Sequence, residues 1–394
     1  MNYLDTLKHP VIARLSLIQL LSYFGNWFSQ VAIFSMLVAF NADAVTIALT
    51  AAMSMLPAVI LAPLIGILID RISFKPLMMT LLLTEISMTL SFVFIDSLAY
   101  VWVLMVLIFI RSAAASVLFS AEMSLFPKIL KGEMLKNTNE IHSIIWSLSY
   151  ASGMAVGGVV TYSFGYDAAF IIDALLYLVA VMLLFGLKLT LEKTMHTDSN
   201  WTMIKEGFTY LRKRKKIIHL ILLHAGIGLT SFDALITLLA DMQYKEIIAV
   251  PLSIGLMNAT RALGLIAGPF FIGKIISKNN LHYFFLLQAV SIFFWVTQEP
   301  YFYFSLFSLF VTGFFITTLW SYTYFLVQEE VDTKYMGRVI SYNDMFFMLS
   351  NVVTALFIGY ASKGGLSLQG ITVTLGAGFV FIALYYLWFK KHYL

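Results

Sequence analysis

The chain is a succession of long apolar runs broken by short polar clusters. A helix needs roughly 20 mostly apolar residues to cross the hydrocarbon of a bilayer. Twelve such runs are present, at about 11–40, 44–69, 77–95, 100–126, 139–163, 167–188, 217–241, 249–273, 281–297, 301–326, 340–361 and 369–389. An even number of crossings returns both termini to one side. The first run is too long for a secretory signal core, and no small-residue cleavage pattern follows it, so it reads as the first span.

Composition agrees with this reading. Of 394 residues 60% are hydrophobic and only 12% charged, with a mean hydropathy of +0.87, too apolar for a surface facing water. A net charge of +4 invites thought of nucleic acid, but the positive residues sit in the breaks between spans and not on one folded face, which argues against it. They report topology instead. With the N-terminus inside, all but Lys245, Lys363, Arg111 and Arg261 of the 25 Lys and Arg residues fall in cytoplasmic segments. The expectation is a multi-pass protein of the cytoplasmic (inner) membrane with both termini in the cytoplasm. The chain has no cysteine, so disulfides and thiolate metal sites are excluded and no metal site is expected. It also lacks a glycine-rich phosphate loop of the ATPase type, so an ion gradient or the solute's own gradient must drive any transport.

The longest polar stretch, about 190–216, splits the spans six and six. It predicts an N-terminal bundle at 1–189, a cytoplasmic linker at 190–216 and a C-terminal bundle at 217–394. Within the linker Trp201, Ile204, Phe208 and Leu211 recur at helical spacing among Lys205, Glu206, Lys213 and Lys216, which suits a helix lying in the membrane interface. A solvated linker with a basic end fits the same residues. The halves also echo each other. Pro63-Leu-Ile-Gly66 after span two is answered by Pro269-Phe-Phe-Ile-Gly273 after span eight, each followed by basic residues. Parallel repeats of this kind place a substrate site at their interface near the bilayer midplane.

After span two the chain reads Gly66-Ile-Leu-Ile-Asp70-Arg71-Ile-Ser-Phe-Lys75, which resembles the loop signature of the major facilitator superfamily. The resemblance implies an all-α membrane protein of 12 transmembrane helices in two pseudo-symmetric six-helix bundles. It also implies a cytoplasmic gate: Gly66 lets two helices approach, and Asp70 sits at the positive N-terminus of a helix from the other half. Arg71 and Lys75 belong to the same latch. The second-half counterpart, Gly273-Lys274, lacks the Asp-Arg pair. Within the superfamily the chain looks most like the 12-span drug and siderophore exporters, the group of the enterobactin exporter and the macrolide efflux proteins; lysophospholipid transporters are relatives of similar length. The passages that carry this are Phe126-Pro-Lys-Ile-Leu, the run from Ile204 to Lys216, and Val331 to Ser341 with Gly337-Arg338. Gly153-Met-Ala-Val-Gly157-Gly158 on span five is similar to the glycine-rich antiporter signature, without its usual proline; simple helix packing by Gly153, Gly157 and Gly158 explains these residues equally well.

A charge at the centre of a spanning helix costs roughly 2.5–3.5 kcal/mol on insertion scales, so each one needs a partner or a use. At 1.5 Å per residue, Arg111 lies roughly 16 Å from the outer end of span four and Glu85 roughly 13 Å from the inner end of span three, which puts them at one depth on helices joined by a tight turn. A structural Glu85–Arg111 pair is one expectation. The resemblance supplies another. In the family an arginine on span four lines the cavity and takes part in proton coupling, and Arg111 matches that position. Asp233 on span seven and Arg261 on span eight flank a short turn. A carboxylate there is stabilised by Arg261 when ionised and loses that support when the cavity changes face, so Asp233 is the first candidate for proton carrier and Glu85 the second. Asp173 falls on a span that packs at the periphery of this fold and reads as structural, and His224 as a satisfied polar residue.

Glu122 should reach the inner end of span four near the latch loop and pair with Arg71. Asn26 and Gln30 on span one are a helical turn apart near midplane, where unpaired amides are expensive, so they point into a cavity. With Arg111, Trp146, Tyr150 and Trp320 they make a candidate site for a large amphiphile. The reading that follows is a proton-coupled exporter of an amphiphilic small molecule such as a drug or siderophore, monomeric, driven by the proton gradient without a cofactor. Its partners would be the lipid bilayer, protons and the small-molecule substrate. Uptake of a small solute, or movement of a lysophospholipid, runs on the same fold and stays open. A membrane enzyme would need paired acids, an activated nucleophile or a metal cluster within the spans, and none stands at suitable spacing.

Overall fold

A computed structural model describes residues 3–187, 189, 200–332 and 335–394, without the side chains of Tyr3, Leu4, Gly66, Ile67, Asp70, Gly207 and residues 200–205. All regular structure among them is helical. After a short α1 (Tyr3–Leu7) come α2 (Pro10–Ala39), α3 (Ala44–Arg71), α4 (Phe74–Ser91), α5 (Val101–Ile129) and α6 (Gly132–Phe185). The second half holds α7 (Asn200–Lys213), α8 (Lys215–Ala225), α9 (Asp233–Leu239), α10 (Val250–Ile272), α11 (Leu281–Gln298), α12 (Phe302–Glu330), α13 (Met336–Lys363) and α14 (Leu368–Tyr393).

Ten of the described helical segments are long and apolar enough to cross a membrane. One of the ten, α6, is two spans. At Gly165, with φ 84° and ψ 167°, the chain leaves the helical region and re-enters it, a conformation that a Cβ would strain. The twelfth is α2, whose 30 residues suffice to cross although Asn26, Gln30 and several serines dilute its hydropathy. The chain is thus an all-α, multi-pass membrane protein, with twelve membrane-length helices among the described residues.

Packing divides it into two units, Met1–Asn41 with Leu64–Thr197, and Ala42–Pro63 with Asp198–Leu394. The division falls within α3 at Pro63, one of two internal prolines that remove a backbone donor from that helix. Asp43 precedes α3 and accepts from the Thr46 amide at 2.8 Å. The hydrogen bonds from Thr46 hold its carboxyl below the usual carboxylate range.

In the first unit, α2 lies against the first limb of α6 at backbone distance. A Cβ at Gly153 would stand 2.8 Å from the Phe24 carbonyl oxygen, and one at Gly157 2.6 Å from that of Phe28. Gly158 is buried beside them. Small residues are what allow helices in lipid to approach this closely. Gly157→Leu should therefore destabilise the unit by about 1–3 kcal/mol, the usual range for overpacking. A lowered thermal midpoint in detergent, read by tryptophan fluorescence, checks it; an unchanged midpoint would show the contact to be loose.

Span seven departs from the expected continuous helix. After α8 the chain winds into a 3₁₀ turn at Gly226–Thr230 and restarts as α9 at Asp233. Gly226 and Gly228 weaken the helix there, and the Arg261 Nη2 donates to the Thr230 carbonyl at 2.7 Å, satisfying an acceptor next to the break. In the 190–216 stretch, residues 200–213 form α7, with Phe208 62% exposed and Leu211 buried. Of the expected amphipathic positions, the side chains of Trp201 and Ile204 lie outside the described residues. Ion pairs Arg338–Glu206 (2.8 Å), Arg214–Asp332 (2.9 Å) and Lys216–Glu330 (2.6 Å) tie α7 and α8 to the adjoining ends of α12 and α13.

Candidate functional site

The first unit encloses an ionic cluster. Arg111 of α5 donates through Nε to Glu85 of α4 at 3.1 Å and through Nη2 to Asp173 of α6 at 2.8 Å. All three side chains are at most 4% exposed. Asp173 also accepts from the Ser29 hydroxyl of α2, and α2 passes this carboxylate at Gly25, where any side chain would run into it. The guanidinium lies over the rings of Phe92 and Tyr177, centroids 5.9 and 6.0 Å away, a stacking that suits arginine's planar, weakly hydrated head. The expected Glu85–Arg111 pair is present. Asp173, read from the sequence as structural, is the second carboxylate on the same cation. An Asp in the interior of the apolar run 167–188 was the available signal, since it cannot stay there without a partner.

Beside the cluster is a cavity of about 30 Å³ lined by Ser22, Tyr23, Asn26, Glu85, Ala115, Leu118 and Tyr177. That volume accommodates about two waters. One of its lining residues, Ser22, has its Oγ buried without a hydrogen-bond partner. Buried polar atoms are as a rule satisfied, so water in this cavity is the physical expectation. Asn26, placed in a cavity by the sequence, does line this one.

Glu122 lies on the same helix as Arg111 and is fully buried. Its expected partner, Arg71, is exposed at the end of α3; Glu122 instead accepts from the Tyr23 hydroxyl at 2.7 Å. Its side chain turns toward α2. Lys75 donates to the Phe185 and Leu187 carbonyls at 2.8 and 3.3 Å, so it satisfies the C-terminal end of α6. The side chains of Gly66 and Asp70 lie outside the described residues.

The expected substrate residues fall into two groups. On the first unit Trp27 packs against Trp146 and Tyr150, ring centroids 5.9 and 4.5 Å away, and Gln30 is buried on α2. On the second unit Trp320 stacks on Tyr324 at 4.9 Å and lies 5.5 Å from His224, whose Nδ1 is 2.8 Å from the Thr323 hydroxyl. Asp233 is buried in the first turn of α9, within reach of the Arg261 charge. Arg261 itself lies over Phe232, 5.1 Å from the ring centroid. Residues the sequence reading passed over are Tyr23, Ser29 and Tyr177. Among the described residues no group of three or more metal-binding side chains converges.

Comparison with known proteins follows the same lines. The family model described as Major Facilitator Superfamily matches residues 15–355. Macrolide efflux protein A of Streptococcus pyogenes is 24% identical over 349 residues, covering 83% of this chain and 84% of that protein. The uncharacterized MFS-type transporter YfiS of Bacillus subtilis (strain 168) is 27% identical over 202 residues, 50% of this chain and 48% of that relative, so the match spans about half its length. Among solved structures, the nucleoside transporter NupG superposes with a TM-score of 0.72 over 97% of this chain and 99% of that one, at 15% identity, a likeness of fold.

Proposed function

This chain belongs to the Major Facilitator Superfamily, and from that premise we propose that it is a proton-coupled exporter of amphiphilic small molecules. It is a membrane transporter and not an enzyme. The observation that carries the coupling is the Glu85–Arg111–Asp173 cluster. One guanidinium faces two carboxylates, all three buried, so the cluster bears one net negative charge unless it binds one proton. An uncompensated charge in the hydrocarbon region is expensive, which makes this a seat for a single exchangeable proton. Glu85 is the carboxylate in contact with the cavity and is assigned the exchange. Asp233 beside Arg261 is a second candidate in the other unit.

In this reading the helical units rock to open the substrate site alternately to each face, and binding of the proton or the substrate sets which face is open. One proton moving through 100 mV supplies roughly 2.3 kcal/mol, enough for a gradient of about fifty-fold per proton exchanged. The excess of Lys and Arg in one set of loops supports an inner-membrane protein with both termini in the cytoplasm. Export, as against uptake, is supported by the similarity to macrolide efflux protein A.

The test uses a macrolide, erythromycin, as the probe. Expression in a strain lacking its own exporters should raise the inhibitory concentration several-fold, and in everted vesicles erythromycin should discharge an imposed pH gradient. Raised resistance with an undisturbed gradient would remove the proton from the mechanism. Heightened sensitivity would reverse the direction.

A further inference from the structure

The polar face of α2 continues past the ionic cluster toward the end of the helix that carries Arg14. Gln19, Tyr23, Asn26 and Gln30 recur at helical spacing on one side, a stripe about 16 Å long at 1.5 Å per residue. Such a stripe serves no purpose against lipid. Near its start the Tyr23 hydroxyl donates to Glu122 at 2.7 Å. The Gln19 amide, one turn earlier on α2, is a second side-chain hydrogen-bond partner of the Glu122 carboxylate. His142 of α6 packs edge-on against the Tyr23 ring, centroids 5.7 Å apart, and its Nδ1 is unpartnered. Tyr23 meanwhile lines the cavity that holds Glu85. Tyr23 therefore both hydrogen-bonds Glu122 and lines the pocket of the coupling cluster.

We propose that Glu122 and Tyr23 form a proton relay between Glu85 and the membrane face nearest the start of α2, a role that rests on the proton-coupled reading above. The proton arrives on a Glu122 carboxylate oxygen. The carboxyl then donates it to the Tyr23 oxygen while the phenol's own hydrogen passes to a cavity water, and that water gives one of its hydrogens to Glu85 Oε1. Every oxygen on the way gains one hydrogen and yields one, so no charge remains on the phenol or the water. Glu122 ends ionised again and Glu85 ends neutral. The titratable groups around Glu122 are Tyr23 from α2 and His142 from α6, with the Gln19 amide as the nearest neutral polar group. The aromatic rings of Phe119 and Phe126 pack against His142, centroids 5.3 and 6.1 Å away. Glu122 and Glu85 are 0% and 1% exposed, so a proton passes between them through neighbouring groups and not through bulk water.

A relay governs rate and leaves equilibrium alone, and a structural contact does neither selectively. The test is a pH jump on the full-length protein in detergent, followed by time-resolved infrared absorption of protonated carboxyl groups. Glu85→Gln identifies the Glu85 band by removing it. Tyr23→Phe should then slow the growth of that band at least tenfold while its final amplitude matches wild type, which also certifies the variant as folded. Glu122→Gln should slow it likewise, and Glu122→Asp should restore part of the rate. A wild-type rate in both Tyr23→Phe and Glu122→Gln would overturn the relay. Absence of any band sensitive to Glu85→Gln would instead overturn the coupling reading, so the two failures are distinguishable.

Discussion

Arg111→Met should leave the first unit unable to hold its fold at growth temperature. The substitution keeps most of the side-chain volume between Phe92 and Tyr177 but strips the cation that contacts Glu85 and Asp173. Breaking a buried pair by removing one partner costs about 3–5 kcal/mol, because the survivor is left charged and desolvated; here two survivors face each other. Arg111→Lys keeps the charge, but a single ammonium cannot reproduce two separate N–H contacts to two acids, so a folded protein with a lower thermal midpoint is expected. The telling control is the triple variant Arg111→Met, Glu85→Gln, Asp173→Asn. It removes all three charges together, and replacing a whole buried ion cluster with neutral groups is often tolerated. Fluorescence-detected size exclusion and thermal melts should show recovery in the triple variant relative to Arg111→Met. If Arg111→Met alone melts like wild type, the cluster is not what holds α4, α5 and α6 together.

Depth along a helix is legible in a sequence, and direction around it is not. Counting 1.5 Å per residue put Glu85 and Arg111 at one level, and the structure has them paired at 3.1 Å. The same counting put Glu122 near the end of its span, but which neighbour it faces depends on how α5 is rotated. Hydropathy carries little of that information in a helix that is apolar nearly all round. The pairing of Asp173 with Arg111 escaped for a related reason. The aspartate's partner lies on a helix 62 positions earlier, and only packing reveals that α6 turns this face inward. The spans themselves were legible because lipid tolerates few alternatives to an apolar helix. The break in span seven was not, since its freed Thr230 carbonyl is satisfied by Arg261 from another helix, a tertiary contact that overrides the local pattern.

Glu85→Gln should fold normally and lose coupling. The amide keeps the size of the side chain and its contact with the cavity, and Arg111 retains Asp173 at 2.8 Å, so the cluster becomes a neutral ion pair with no reason to bind a proton. Asp173→Asn should have the same outcome for the same reason, since it leaves Arg111 with Glu85 alone. Coupling in this scheme needs two acids on one cation, and either acid alone is fully compensated. In proteoliposomes with an imposed proton-motive force of about 100 mV, steady-state accumulation of erythromycin should fall from about fifty-fold per proton exchanged toward unity in both variants. Exchange of labelled for unlabelled erythromycin, which requires no net proton movement, should continue. Glu85→Asp preserves the number of acids and should keep the gradient, at a lower rate because the shorter side chain reaches less well into the cavity. A full gradient in Glu85→Gln would place the exchanged proton elsewhere, and Asp233 beside Arg261 is then the next carboxylate to neutralise, because it is the buried acid of the second unit that feels an arginine's charge within the span.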